Sequence, residues 1–145
     1  MSQCRPSNKL SLFESFCRKN QIDGIPITIE VGGNPLRVKV ASTPESQAKG
    51  FMGATTEPKE GEGILFVYDA EQPLHFWMKD VPFSLDIAFF NNNMEYMGHE
   101  TMQPTDEREE HKIPRYSSKG PARFAVETKA GWCDKHVSQE CKLSL

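Results

Sequence analysis

The chain has 145 residues, 37% of them hydrophobic and 10% aromatic, with a formal net charge of −3. That length and apolar content suit one domain with a sizeable core and argue against two. The basic residues are scattered among acidic neighbours, which disfavours nucleic-acid binding, and no run approaches the roughly 18 consecutive apolar residues needed to span a bilayer.

Residues 1–24 read as an N-terminal extension. Leu10, Phe13, Phe16 and Cys17 recur at helical spacing, predicting a short amphipathic helix between Lys9 and Lys19 that docks on the domain or serves as an interaction arm. Polar and charged residues interrupt the segment throughout, so it lacks a secretory apolar region, and a cytoplasmic location without membrane association is expected.

Residues 25–145 read as one β-rich domain. Ile25 to Val31 alternates like a strand, and Gly32-Gly33-Asn34-Pro35 is a hairpin signal leading into Leu36 to Ala41. Thr43 is an N-cap candidate followed by Pro44, and Gly50 would end that helix after two turns. The polar run Thr55 to Gly63 is a surface loop, and Ile64 to Tyr68 is a buried-type strand. Leu74 to Lys79 and Leu85 to Phe90 are expected to pair as a hairpin across Asp80 to Ser84. Asn91 to Asn93 closes the second of these, and Met94 to His99 returns. Gln103 to Arg115 is a charged excursion bracketed by Pro104 and Pro114. Ala122 to Thr128 alternates again, Ala130 to His136 suits one helical turn, and Cys141 to Leu145 closes the chain. This order predicts an all-β fold with minor α, a compact sandwich or barrel of short antiparallel strands.

Cys4, Cys17, Cys133 and Cys141 contain no paired C-x-x-C arrangement. Cys133, His136 and Cys141 offer up to three soft ligands, short of the four a structural zinc site uses. No metal or other cofactor is expected, and the thiols read as reduced and inert.

Four blocks carry a family resemblance: Lys49-Gly50-Phe51-Met52-Gly53, Gly63 to Val67, Phe76 to Lys79 with Leu85 to Phe89, and Tyr116-Ser117 with Pro121 to Phe124. In that order they resemble the prokaryotic family catalogued as domain of unknown function number 192, from about Ile27 to Leu145. The resemblance implies a compact β-sandwich-like fold in bacteria, archaea and some of their viruses, and no established activity. It also implies departures: Ala54 where the family has arginine, Asp80-Val81 where it has Asn-Thr, Ser84 where it has proline, Thr105 where it often has cysteine, and Gln139-Glu140 in place of a terminal Gly-Asp turn. These departures weaken any thiol or metal mechanism carried over from relatives.

The most apolar stretch, His75 to Phe90, carries charges at Lys79, Asp80 and Asp86. A charge in an apolar strand is costly unless paired or wet. One reading makes Asp86 a semi-buried pair with Arg123 or Lys79 that sets strand register. The other places Lys79 and Arg123 on the rim of a pocket floored by Trp77 and Phe76, suited to small anions, sugars, or an acidic or aromatic peptide side chain. The candidate ligand-binding face is therefore Trp77, Lys79, Asp86, Tyr116 and Arg123, in a non-enzymatic binding or regulatory module for a small molecule or protein partner. The competing expectation is a small hydrolase or lyase with Asp86 or His99 as general base and Lys79 or Arg123 stabilising developing negative charge.

Overall fold

The structure is a computed structural model that describes residues 22–145. The expected N-terminal helix with Leu10, Phe13, Phe16 and Cys17 lies outside the described residues.

Alternation builds the first hairpin. In β1 (Pro26–Val31) Ile29 and Val31 point into the core while Thr28 and Glu30 face solvent. β1 pairs antiparallel with β2 (Asn34–Ala41), with Val31 opposite Asn34. Between them Gly32 and Gly33 have φ of 57° and 84°, the double positive φ that a two-residue hairpin turn with matching twist requires. Gly32 is required twice over, because a Cβ there would lie 2.3 Å from the Cys141 sulfur.

The next connection is a crossover. α1 (Pro44–Lys49) starts at Thr43, whose side chain accepts from the Ser46 N–H while the Ser46 hydroxyl accepts from the Thr43 N–H. Asp23 Oδ1 secures this turn by accepting from the N–H groups of Ser42 and Thr43 and the Ser46 hydroxyl. The helix and the following loop return the chain to the end at which β2 began. β3 (Glu62–Gln72) therefore runs parallel to β2, where antiparallel strands were expected.

β4 (His75–Phe76) is much shorter than the expected Leu74 to Lys79. The chain turns at once: the Val81 N–H bonds the Met78 carbonyl, and Asp80 takes φ 56°. The expected hairpin with Leu85 to Phe90 does not form. β4 pairs instead with β7 (Tyr116–Ser117), Phe76 opposite Tyr116, in a separate two-stranded sheet. β5 (Leu85–Phe90) lies between β6 (Tyr96–Met102) and β8 (Ala122–Lys129) in the main sheet. α2 (Trp132–His136) and β9 (Leu143–Ser144) finish the chain, and the charged excursion holds a single 3-10 turn at Glu110–Lys112.

The main sheet has seven strands among the described residues, in the order β6-β5-β8-β3-β2-β1-β9, and curls into a half-barrel. The fold is all-β with minor α. Each face of the sheet carries its own apolar layer. Leu36, Val38, Leu65, Phe90, Phe124 and Val126 pack with Trp132 on one side. Phe66, Phe76, Met78, Ile87, Phe89 and Ala125 pack on the other. Covering on both faces explains why β5 is buried at every position.

Candidate functional site

The second face contains one polar side chain that the apolar layer does not explain. On β8, Glu127 shares a face with Ala125 and stands opposite Ile64 of β3 and Ile87 of β5. It is 4% exposed, and its Oε1 has no hydrogen-bond partner among the described residues. Burial raises its pKa from the ordinary 4.5 to about 8, so the carboxyl holds its proton at neutral pH. Tyr68 of β3 is raised as well, first by burial and then by the nearby Glu127.

Glu127 lies in a pocket of about 210 Å³ between the sheet and α1. Phe66, Phe76, Trp77 and Phe51 supply aromatic walls, while Lys49, His75 and Lys79 supply basic groups. Gly50, at φ 46°, ends α1 directly over the acid, and a Cβ there would sit 3.5 Å from both Glu127 Oε1 and the Phe66 ring. The positive φ by itself favours glycine at this position.

Beside the pocket, Trp77 is flanked by two cations: the Arg115 guanidinium lies 4.3 Å and the Lys79 ammonium 5.4 Å from its ring centre. Lys79 also bonds Glu110, an interaction that raises the lysine pKa and lowers that of the glutamate. The Arg115 guanidinium donates to the Ile113 carbonyl at 2.8 Å, which fixes it over the indole.

The residues expected from sequence fall in several places. Trp77 and Lys79 line the pocket. Tyr116 lies behind its wall, opposite Phe76, and its hydroxyl accepts the Gln103 N–H at 3.2 Å. Arg123 lies outside the pocket lining, donating to the Tyr68 carbonyl at 2.9 Å and to Asn92 Oδ1 at 2.8 Å, with its guanidinium 5.6 Å from the Phe124 ring.

Asp86 requires a correction. It bonds neither Lys79 nor Arg123, because its strand turns it to the first face of the sheet, with Ala88 and Phe90. There its Oδ1 accepts from the Thr101 hydroxyl at 2.7 Å and its Oδ2 from the N–H groups of Gly131 and Cys133 at 3.0 Å each. At 0% exposure, with both oxygens occupied, it is a structural anchor for the start of α2 and has no opening through which to act as a general base. The other proposed base, His99, sits between the Tyr96 hydroxyl and Asp134, on the edge strand β6. Burial pushes the neighbouring Cys133 thiol well above its ordinary pKa, and the charge of Asp86 adds to the rise.

Glu127 was legible only as one charge in an alternating strand. The signal available was its place after an otherwise apolar run, Phe124-Ala125-Val126, whose two faces both meet core. Cys133 and Cys141 are buried and unpaired, and among the described residues no three His, Cys, Asp or Glu side chains converge to hold a metal.

The family model described as an uncharacterized ACR, DUF192, matches residues 27–143. The chain belongs to the DUF192 family. No curated protein sequence matches it. This DUF192 domain is similar to a solved structure of a protein of unknown function from Novosphingobium aromaticivorans, with 25% identity and a TM-score of 0.73 over 83% of this chain and 85% of that one. It is also similar to a proposed transcription regulator from Sinorhizobium meliloti, with 19% identity and a TM-score of 0.71 over 85% and 95% of the two chains. The second likeness speaks for the fold alone. No helix among the described residues of the DUF192 domain is long and apolar enough to cross a membrane.

Proposed function

We propose that this chain is a non-enzymatic binding module whose site is the pocket over Glu127, taking a small anionic or sugar-like molecule. One observation carries the reading: a buried carboxyl with an oxygen that nothing in the described protein satisfies. Leaving such a group unpaired costs about 1–3 kcal/mol, so a partner supplied by a ligand would be worth a comparable amount. The aromatic walls support the same reading, since binding sites combine apolar lining with a few placed polar groups. A volume of about 210 Å³ falls below the roughly 300–1,000 Å³ typical of drug-sized ligands, which favours a small molecule.

The raised pKa of Glu127 also favours a second reading, an acid–base enzyme, because general acids are often tuned in this way. Against it, the described lining has no second carboxyl and no serine, threonine or cysteine nucleophile.

The two are separated by ¹H–¹⁵N NMR with a panel of monosaccharides and small carboxylates, alongside turnover of 4-nitrophenyl acetate and 4-nitrophenyl glucoside. Binding predicts shifts clustered at Gly50, Phe66, Glu127 and the Trp77 indole with no nitrophenol release. Release that Glu127→Gln abolishes would replace the binding reading with the enzymatic one.

A further inference from the structure

The charge arrangement of the pocket points to a narrower ligand class, an inference that rests on the binding reading above. Among the described lining residues Glu127 is the one acid, while Lys49, His75 and Lys79 are basic. The titratable groups that line the pocket with Glu127 are Tyr68 from β3, which lies close enough to feel its charge, Lys49 from the end of α1, and His75 and Lys79 from β4 and the turn after it. Lys49 and His75 are exposed, whereas Glu127 is buried under Gly50 at the inner end of the pocket. The site is thus polarised, with the Lys49 ammonium outside, Lys79 at its edge already paired with Glu110, and a lone carboxyl inside, and Phe66, Phe76 and Trp77 between them.

We propose that the ligand is a small ring-bearing carboxylate with a second oxygen at its far end: its anionic group rests near Lys49, its ring lies among the aromatic walls, and its inner oxygen bonds Glu127. A protonated acid suits this role because it both donates and accepts a hydrogen bond without adding charge to an apolar cavity. An ammonium ligand meets the opposite conditions. It would pass the Lys49 ammonium and would have to ionise a buried acid before pairing with it. A carboxylate buried at the bottom is disfavoured for a related reason, since the lysines that would neutralise it are at the mouth.

Four probes test the assignment by NMR titration of the Gly50 and Glu127 amides and the Trp77 indole: 4-hydroxybenzoate, benzoate, 4-hydroxybenzyl alcohol and tyramine. 4-Hydroxybenzoate carries both anchors and is expected to bind best. Benzoate and the alcohol each lack one anchor and should bind roughly three- to tenfold more weakly. Lys49→Ala, at an exposed position that leaves the fold intact, should weaken 4-hydroxybenzoate and benzoate while sparing the alcohol. Tighter binding of tyramine, or equal binding of all four, would overturn the ligand class and leave the binding module standing. No pocket shift from any probe, up to their solubility limits, would overturn both.

Discussion

Asp86 on β5 accepts the backbone N–H of Cys133 at 3.0 Å across 47 residues of sequence, and the same oxygen accepts from Gly131. The carboxylate therefore serves α2 as the cap that the helix cannot supply locally, because its own N-cap residue is Gly131, without a side chain. Negative charge at a helix start is also favoured by the backbone dipoles there.

Asp86→Ala should destabilise the domain by about 3–5 kcal/mol, since it leaves the buried Cys133 N–H, the half-buried Gly131 N–H and the Thr101 hydroxyl without their acceptor. Asp86→Asn keeps an oxygen for the helix and an amide for Thr101, and is expected to cost about 1–2 kcal/mol. Urea denaturation of the two variants checks this ordering. Equal, negligible losses would show that the anchor carries no stability.

Glu127 makes stability depend on pH in the unusual direction. Its folded pKa of about 8 lies above the ordinary 4.5, so between those values the unfolded chain gives up a proton that the folded chain keeps. The contribution is fully present below about pH 4.5, declines as pH rises to about 8, and is flat beyond; its span is at most about 5 kcal/mol. Glu127→Gln should remove this slope and be more stable than the parent at pH 8.5. Denaturant midpoints measured from pH 5 to 9 give the answer, and a flat parental profile would mean that the carboxyl is ionised throughout.

At Gly63, β3 lies close against β8, with Gly63 opposite Thr128. A Cβ there would lie 2.0 Å from the Glu127 carbonyl oxygen, a backbone atom that cannot swing aside. Gly63→Ala should cost about 3 kcal/mol or more by forcing the strands apart, and should disturb the pocket with it. Gly61→Ala is the matched control: its φ is 83° but a Cβ would meet nothing within 4 Å, so only backbone strain of about 1–2 kcal/mol is expected. Thermal melts that rank the two alike would remove the strand-contact argument.

The roof of the pocket is held from outside the helix. Burial raises the pKa of Asp23, but bonds from Ser46, Ser42 and Thr43 outweigh it and leave the net shift downward. Its contribution is thus present at neutral pH and is lost as pH falls through the carboxylate range. Thr43→Ala should cost about 1 kcal/mol and speed amide exchange in residues 46–50 relative to β8. Unchanged exchange there would mean that Asp23 suffices as the cap.

Features that depend on a few neighbouring residues are legible in the amino-acid order alone. Thr43-Pro44 set the start of α1 and Gly50 its end, Gly32-Gly33 imposed the first turn, and Leu85 to Phe90 formed a strand over the residues expected. Capping and positive φ act within one turn of chain, so local sequence determines them. Trp77 and Lys79 were readable as candidates for the same reason, being a large ring and a charge in an apolar run.

Partner choice was decided only by the tertiary structure. Alternation tells which side chains share a face, but not what covers that face, and here both faces of the sheet are covered. Asp86 and Glu127 are both acids in apolar strands, yet α2 brings two backbone donors to one and leaves the other with an unpaired oxygen beneath Gly50. The pairing of β4 with β7 and the parallel run of β2 and β3 have the same origin, since each joins segments separated by a long connection whose path no local propensity specifies. Sequence alone determined the tight turns and most of the long strands; the short pair β4 and β7, and which buried acid became an anchor and which lines a pocket, were decided by packing between distant segments.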